Sequence, residues 1–189
     1  PIGDRALDNS LGALRSSAPS VLWRHQRPRI EHGDLLHPEQ IELAHEVGAI
    51  VVQNPTHLTL DFGPPLGAAR ATEVQPLRSL LEAGVPLAFG SDAAQPNPFL
   101  DLFFAVLHPF RPSEALTMGQ AVTAYTRGSA MAEHEERQKG TLRAGHLADL
   151  AVLSQDIFVV PPPLVPNTTS LLTVVGGDIV WDAGVVGVP

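Results

Sequence analysis

The feature that most constrains this chain is a set of short strand-like runs whose hydrophobicity is continuous rather than alternating. AIVVQ at 49–53 and PLAFGSD at 86–92 are apolar on both would-be faces, and the strand-like run RPRIEH at 27–32 precedes them. A strand with one wet face alternates, whereas continuous runs fit a parallel sheet covered on both sides. The intervals read as helices. Asp4 is placed to cap a helix over 5–17, with Leu7, Leu11 and Leu14 at the spacing of one buried face. Pro38 suits a first helical turn, Ile41, Ala44 and Val47 fall inward, and Gly48 stands in the stop position. A Gly/Pro-rich loop at 63–67 leads to a third helix over 72–83, ended by Gly84. Strand and helix alternate, so the body reads as βαβαβ.

Two of these runs end on metal-type ligands. RPRIEH stops at His32, and FGSD stops at Asp92, 60 residues later. A (β/α)₈ barrel spends about 250 residues on eight units, so two units cover about 60 residues. His32 and Asp92 are therefore expected at the C-terminal ends of strands two apart, on the rim where such barrels carry their chemistry. His57, in QNPTHL, follows the strand between them and by position faces the same mouth.

Beyond Asp92 the text changes. PNPFLDLFFAVLHPF at 96–110 is a Pro-flanked aromatic segment whose Phe99, Phe103 and Phe104 either line a pocket wall or close the outside of the body. A helix follows over 118–126. Then come LADLAVL at 147–153, the proline-rich PPPLVP at 161–166, and LLTVV-GG-DIVW at 171–181, where two β runs joined by Gly176 and Gly177 signal a hairpin. The expected division is an α/β body over 1–135 and a small β unit over 136–189.

Composition removes several function classes. A formal charge of −8, a pI near 5.4 and scattered Lys and Arg argue against a nucleic-acid partner. There is no cysteine, so any metal must be held by His, Asp or Glu, and the chain suits a reducing compartment. No apolar stretch approaches the roughly 20 residues of a membrane span. A soluble, cytoplasmic protein is expected. The opening PIGDRALD carries no methionine and reads as cut from something longer. G-x-S-x-G, P-loop, G-x-G-x-x-G and H-E-x-x-H signatures are all absent.

PIGDRALD, RPRIEHGDLLHPEQIELAHEVGAIVVQNPTHL, FGSDAAQPNPF and KGTLRAGHLADLAVL, in that order, resemble the C-terminal half of metal-dependent amidohydrolases of the YtcJ-like branch. The resemblance covers essentially the whole chain. It implies the C-terminal half of a TIM (β/α)₈ barrel with part of a small β-sandwich, and one or two divalent metals, usually zinc, at the rim. Ligands in the family are an H-x-H pair on the first strand, a Lys or Glu on the fourth, His on the fifth and sixth, and Asp on the eighth. Carried over, His32 takes the sixth-strand place and Asp92 the eighth. Pro1 takes the x of the fifth-strand H-x-I-G-D motif, so that histidine falls just ahead of it. The H-x-H pair and the fourth-strand residue have no counterpart, and a catalytic zinc wants three protein ligands.

The implied chemistry is hydrolysis of C–N, amide-type bonds. Asp92 acts as metal ligand and proton acceptor, His32 as a neutral-imidazole ligand, and His57 as a substrate-binding group. With so few ligands, these residues alone are expected to be inactive. Solvated loop roles are the expectation for Asp34 and His37, and surface or packing roles for His25, His45, His108, His134 and His146. EHEER at 133–137 reads as a solvated helix end and Trp181 as packing on the hairpin. The contrasting reading is a non-catalytic half-barrel that binds or oligomerises. Exposed strand edges need a cover, supplied by a missing N-terminal half or by a second copy.

Overall fold

In the computed structural model, which describes residues 1–60, 66–67, 70, 73–92 and 96–187, helix α1 (Asp4–Ser17) opens the chain. Leu7 and Leu11 are fully buried and Leu14 packs beside them, as the spacing requires. Asp4 is not the cap. Gly3 is, in an extended conformation, and Asp4 stands in the first turn, with Oδ1 accepting the Arg5 N–H at 2.8 Å and Oδ2 taking Arg70 Nη2 at 2.6 Å. Helix α2 (Ser20–Gln26) carries no buried residue, so no periodic apolar stripe marks it in the sequence.

Strands β1 (Arg29–Glu31), β2 (Ile50–Gln53) and β3 (Leu87–Phe89) form a parallel sheet in that order, with Ile30 opposite Val51 and Val51 opposite Leu87. Between β1 and β2 lies helix α3 (Pro38–Val47), stopped by Gly48 at φ 68°, where the left-handed turn favours glycine. Between β2 and β3 the described helix is α4 (Leu77–Glu82). It begins later than the expected 72–83 because Gln75 is left-handed at φ 51° and Pro76 follows it. Thr72 and the loop residues 63–65 lie outside the described residues.

Ile30, Val51, Leu87 and Phe89 join one large core with α1, α3, α4 and helix α5 (Pro98–Leu107). The opposite face is thin. Ile50, Val52 and Ala88 meet only a small cluster containing Met131 and Ala132. Those two residues belong to helix α7 (Ser129–Ala132), which continues helix α6 (Met118–Thr123) through a π-type turn over Ala124–Gly128. The helix expected over 118–126 thus runs further. Ladder bonds to β2 use Pro86 and Gly90, so the carbonyls of Leu87 and Phe89 point to the outer edge of β3. There the Ser129 hydroxyl donates to Phe89 at 2.9 Å, and Gly128 lies directly against Leu87.

The tail forms an antiparallel sheet of β4 (Leu150–Leu153), β5 (Ser170–Val175) and β6 (Asp178–Asp182). Gly176 and Gly177, both with positive φ, make the expected hairpin turn. The proline-rich segment forms a 3₁₀ turn over Pro162–Asn167, which delivers Val165 into the main core. Trp181 Nε1 donates to the Ser170 carbonyl of β5 at 3.0 Å, which lays the indole on the hairpin's other strand, and the residue stays 55% exposed. Glu136 is not simply solvated, since it pairs with Arg27 at 2.9 Å.

Candidate metal centre

A parallel sheet presents all its carboxyl ends along one edge, and three consecutive strand exits meet there. β1 leads straight into His32, β2 into Asn54 and a 3₁₀ turn over Pro55–Thr59 that carries His57, and β3 into Gly90 and Asp92. The sequence placed His32, His57 and Asp92 on a common rim, and they do share it. The His32 and His57 rings stack with centroids 5.5 Å apart, and His57 Nε2 lies 3.5 Å from Asp92 Oδ2. His32 and Asp92 both line a cleft of about 340 Å³ with Asn54 and Gly90.

Backbone geometry at these exits is unusual. His32 has φ 68° and Asp92 φ 50°, and Gly33 continues the left-handed turn at φ 64°. Non-glycine residues rarely hold such conformations unless their surroundings impose them. Here the surroundings are hydrogen bonds. Asn54 Nδ2 donates to the Gly90 carbonyl at 2.7 Å, which turns Asn54 Oδ1 toward His32 Nδ1 at 3.0 Å. His32 therefore carries its proton on Nδ1, leaving the Nε2 lone pair free as a ligand.

Beneath the rim, polar groups replace water. Asp34, expected to be a solvated loop residue, is fully buried, and its Oδ2 faces His57 Nδ1 at 3.9 Å. At that distance the pair is a charge contact and not a formed hydrogen bond. His32, Asp34 and His57 bring one ligand-type atom each within 4.8 Å of one another, and Asp92 joins this group through His57. Asp101 on α5 is also buried and accepts the Thr56 N–H on Oδ1 at 3.0 Å, pinning the turn that presents His57. The Asp34 carboxylate raises the His57 pKa above its ordinary value against the opposing effect of burial, with Asp92 and Asp101 adding to the rise. Burial pushes the Asp101 carboxyl up to about 6.

A sequence model of the amidohydrolase family matches residues 1–181. The chain belongs to the amidohydrolase family. YtcJ of Bacillus subtilis (strain 168), whose name describes an amidohydrolase, is 31% identical over 96% of this chain and 36% of its own length. N-substituted formamide deformylase of Arthrobacter pascens is 29% identical over 82% of this chain and 31% of its own. The crystal structure of an uncharacterized metal-dependent hydrolase from Pyrococcus horikoshii OT3 superposes with a TM-score of 0.72 at 26% identity, covering 86% of this chain and 34% of that one. This amidohydrolase chain thus spans about a third of the length of the relatives it matches.

The amidohydrolase rim fits a divalent cation by its donor chemistry. Imidazole nitrogen and carboxylate oxygen are the ligands such ions take in cysteine-free proteins. His32 offers an open nitrogen at the cleft and Asp92 a carboxylate with 46% of its side chain exposed. The sequence did not single out Asn54, Gln75 or Asp101. Each is a polar residue beside a buried apolar run, which is the one local signal that could have marked them. Phe99 and Phe103 pack on the main core and Phe104 against Leu35, Leu58 and Val74, so all three close the body.

Proposed function

We propose that this chain supplies part of the active site of a metal-dependent hydrolase acting on C–N, amide-type bonds. The observation that carries this reading is the delivery of His32, His57 and Asp92 to one edge by three consecutive parallel strands, with Asn54 tying the three exits together. The kinship with a formamide deformylase favours the C–N bond class. His32 and Asp92 are the metal ligands in this reading. The donor set and the family resemblance favour zinc. Bound there, a divalent metal supplies Lewis acidity that makes hydroxide available at neutral pH and polarises a carbonyl.

The protein's own groups do the rest. Asp92 accepts a proton from the attacking water and passes it to the leaving nitrogen. His57, largely buried and held among three carboxylates, binds the substrate. Asn54 holds the His32 ring so that Nε2 faces the cleft. The remaining ligands come from outside these 189 residues, which by themselves turn over nothing. In this view the parallel sheet is half of a TIM barrel and the β4–β6 sheet part of a sandwich. The missing half or a second copy covers the apolar surfaces that remain, and the protein works in the cytoplasm, which a cysteine-free chain suits.

The test is hydrolysis of N-substituted formamides and related amides by the zinc-loaded full-length protein that contains these residues, alongside zinc affinity by calorimetry. His32→Ala and Asp92→Asn are each expected to weaken zinc binding at least about tenfold and to lower kcat by about 10³ or more. Full zinc affinity and turnover in either variant would refute the assignment. The contrasting reading of an oligomerising module draws on the exposed hairpin residues Ile179, Val180 and Trp181.

A further inference from the structure

The turn after β1 puts a carboxylate where water does not reach. Asp34 is fully buried, and Gln75 holds it twice: Gln75 Nε2 donates to Asp34 Oδ1 at 3.0 Å, and Gln75 N–H donates to the Asp34 carbonyl at 2.7 Å. Asp34 Oδ2 has no hydrogen-bond partner among the described residues, and it points at His57 Nδ1. On the far side of that ring, Nε2 faces Asp92 Oδ2. A buried charge left open in this way is strongly unfavourable unless something holds it and something uses it.

What holds it is a chain of fixed groups. His108, fully buried, donates from Nε2 to the Gln75 carbonyl at 2.8 Å and accepts the Arg111 N–H on Nδ1 at 3.1 Å, so both ring nitrogens are committed. Gln75 Nε2 also reaches the Asn54 carbonyl at 2.7 Å, joining Asp34 to the bridge behind His32. Of the six non-glycine residues with positive φ among the described residues, four are His32, Gln75, Asp92 and His108. The unfavourable backbone of this protein is thus concentrated in the rim and in the groups that brace Asp34. Such conformations persist where the surroundings over-determine them, and they cluster at working sites.

We infer that Asp34 is a positioning residue that holds His57 with Nδ1–H turned inward and Nε2 presented to Asp92, which lines the cleft. The inference deepens the hydrolase reading and rests on it for the role of His57. A carboxylate behind an imidazole selects one tautomer and one ring orientation. The 3.9 Å separation is short enough to close into a hydrogen bond when substrate binds, as catalytic contacts do. Asp34 acts through His57 and touches neither substrate nor metal.

The test reads the tautomer directly. Nitrogen-15 correlation spectra of the protein, recorded above the ring's own titration midpoint as followed by the same spectra, are assigned for His57 by comparison with the His57→Gln variant. The wild-type ring is expected as Nδ1–H, and in Asp34→Asn, whose amide donates where the carboxylate accepted, it shifts toward Nε2–H. Zinc affinity in Asp34→Asn stays within about threefold, kcat falls about 10- to 100-fold with KM little changed, and the substitution adds nothing in a His57→Gln background. An Nε2–H tautomer in the wild type overturns the inference even if the variant does not fold. So does an unchanged spectrum in Asp34→Asn, or an equal effect on kcat in both backgrounds. A tenfold loss of zinc affinity in Asp34→Asn makes Asp34 a ligand and overturns it as well. The spectrum needs no turnover, so the expected tautomer in a full-length protein without hydrolytic activity would sink the hydrolase reading and leave the Asp34 assignment standing.

Discussion

Asp101 shows how a single buried carboxyl connects stability to pH. Its folded pKa of about 6 lies above the ordinary 3.8, because burial disfavours the charged form more than the Thr56 hydrogen bonds favour it. The folded state therefore binds this proton more tightly than the unfolded chain. Between about pH 4 and pH 6 its ionisation removes stability, up to about 3 kcal/mol, and the loss is complete above pH 6. Asp101→Asn keeps an acceptor for the Thr56 N–H and carries no charge. It is expected to raise the melting temperature at pH 8 and to flatten this part of the pH–stability curve in thermal melts between pH 4 and 8. His57 acts in the same sense. Its raised pKa stabilises the fold below about pH 6.5, and that contribution is lost as pH rises through the folded value. Asn54→Leu removes the acceptor that fixes the His32 tautomer, and zinc affinity measured by calorimetry is expected to fall about 10- to 100-fold. That His32, His57 and Asp92 share one edge was legible in the sequence, because His32 and Asp92 close strand-like runs and His57 follows the strand between them. Asp34, Asn54 and Gln75 were not, because a loop aspartate or glutamine looks solvated until its partner, 41 residues away for the Asp34–Gln75 pair, is brought to it.

At the level of elements, the strands and α3 announced themselves through hydrophobic continuity, Pro38 and Gly48. Helix α2 did not, because it buries nothing, and the start of α4 was misplaced because the pattern does not reveal a left-handed Gln75. The contact between α7 and β3 was equally silent, since a glycine inside a helical stretch gives no hint of which backbone lies against it. A Cβ at position 128 would overlap the Leu87 carbonyl oxygen and also crowd Ala88 Cα at 3.3 Å. Backbone, unlike a flexible side chain, does not move aside. Gly128→Ala is expected to destabilise the protein by about 2–3 kcal/mol, read from urea unfolding, although alanine favours helix more than glycine does. Stability equal to or above the wild type would show that the helix does not sit so close to the strand.

Taken as a whole, the molecule is unevenly covered. Among the described residues, one face of the parallel sheet shares its core with α1, α3, α4, α5 and α6, and the other meets the short α7. In β6, Ile179 and Trp181 project to one side and Val180 to the other, and all three are more than half exposed. An apolar hairpin bare on both sides invites a partner. The 189-residue chain is accordingly expected to self-associate at micromolar concentration in sedimentation runs, with Ile179→Lys shifting it toward monomer. A monomer at every concentration would remove self-association from consideration. The small β unit itself was foreseeable from the Gly176–Gly177 turn. Its lack of cover was not, because a sequence records which residues are apolar and not what will lie over them. The Gly128–Ser129 contact bears on the form such assemblies take. The outer Phe89 carbonyl is held by Ser129, and just past β1 the Gly33 N–H donates to the Pro1 carbonyl at 2.9 Å, so each margin of the parallel sheet is already partly engaged. Strand addition is thereby disfavoured at both margins, and the bare hairpin is the expected route of association.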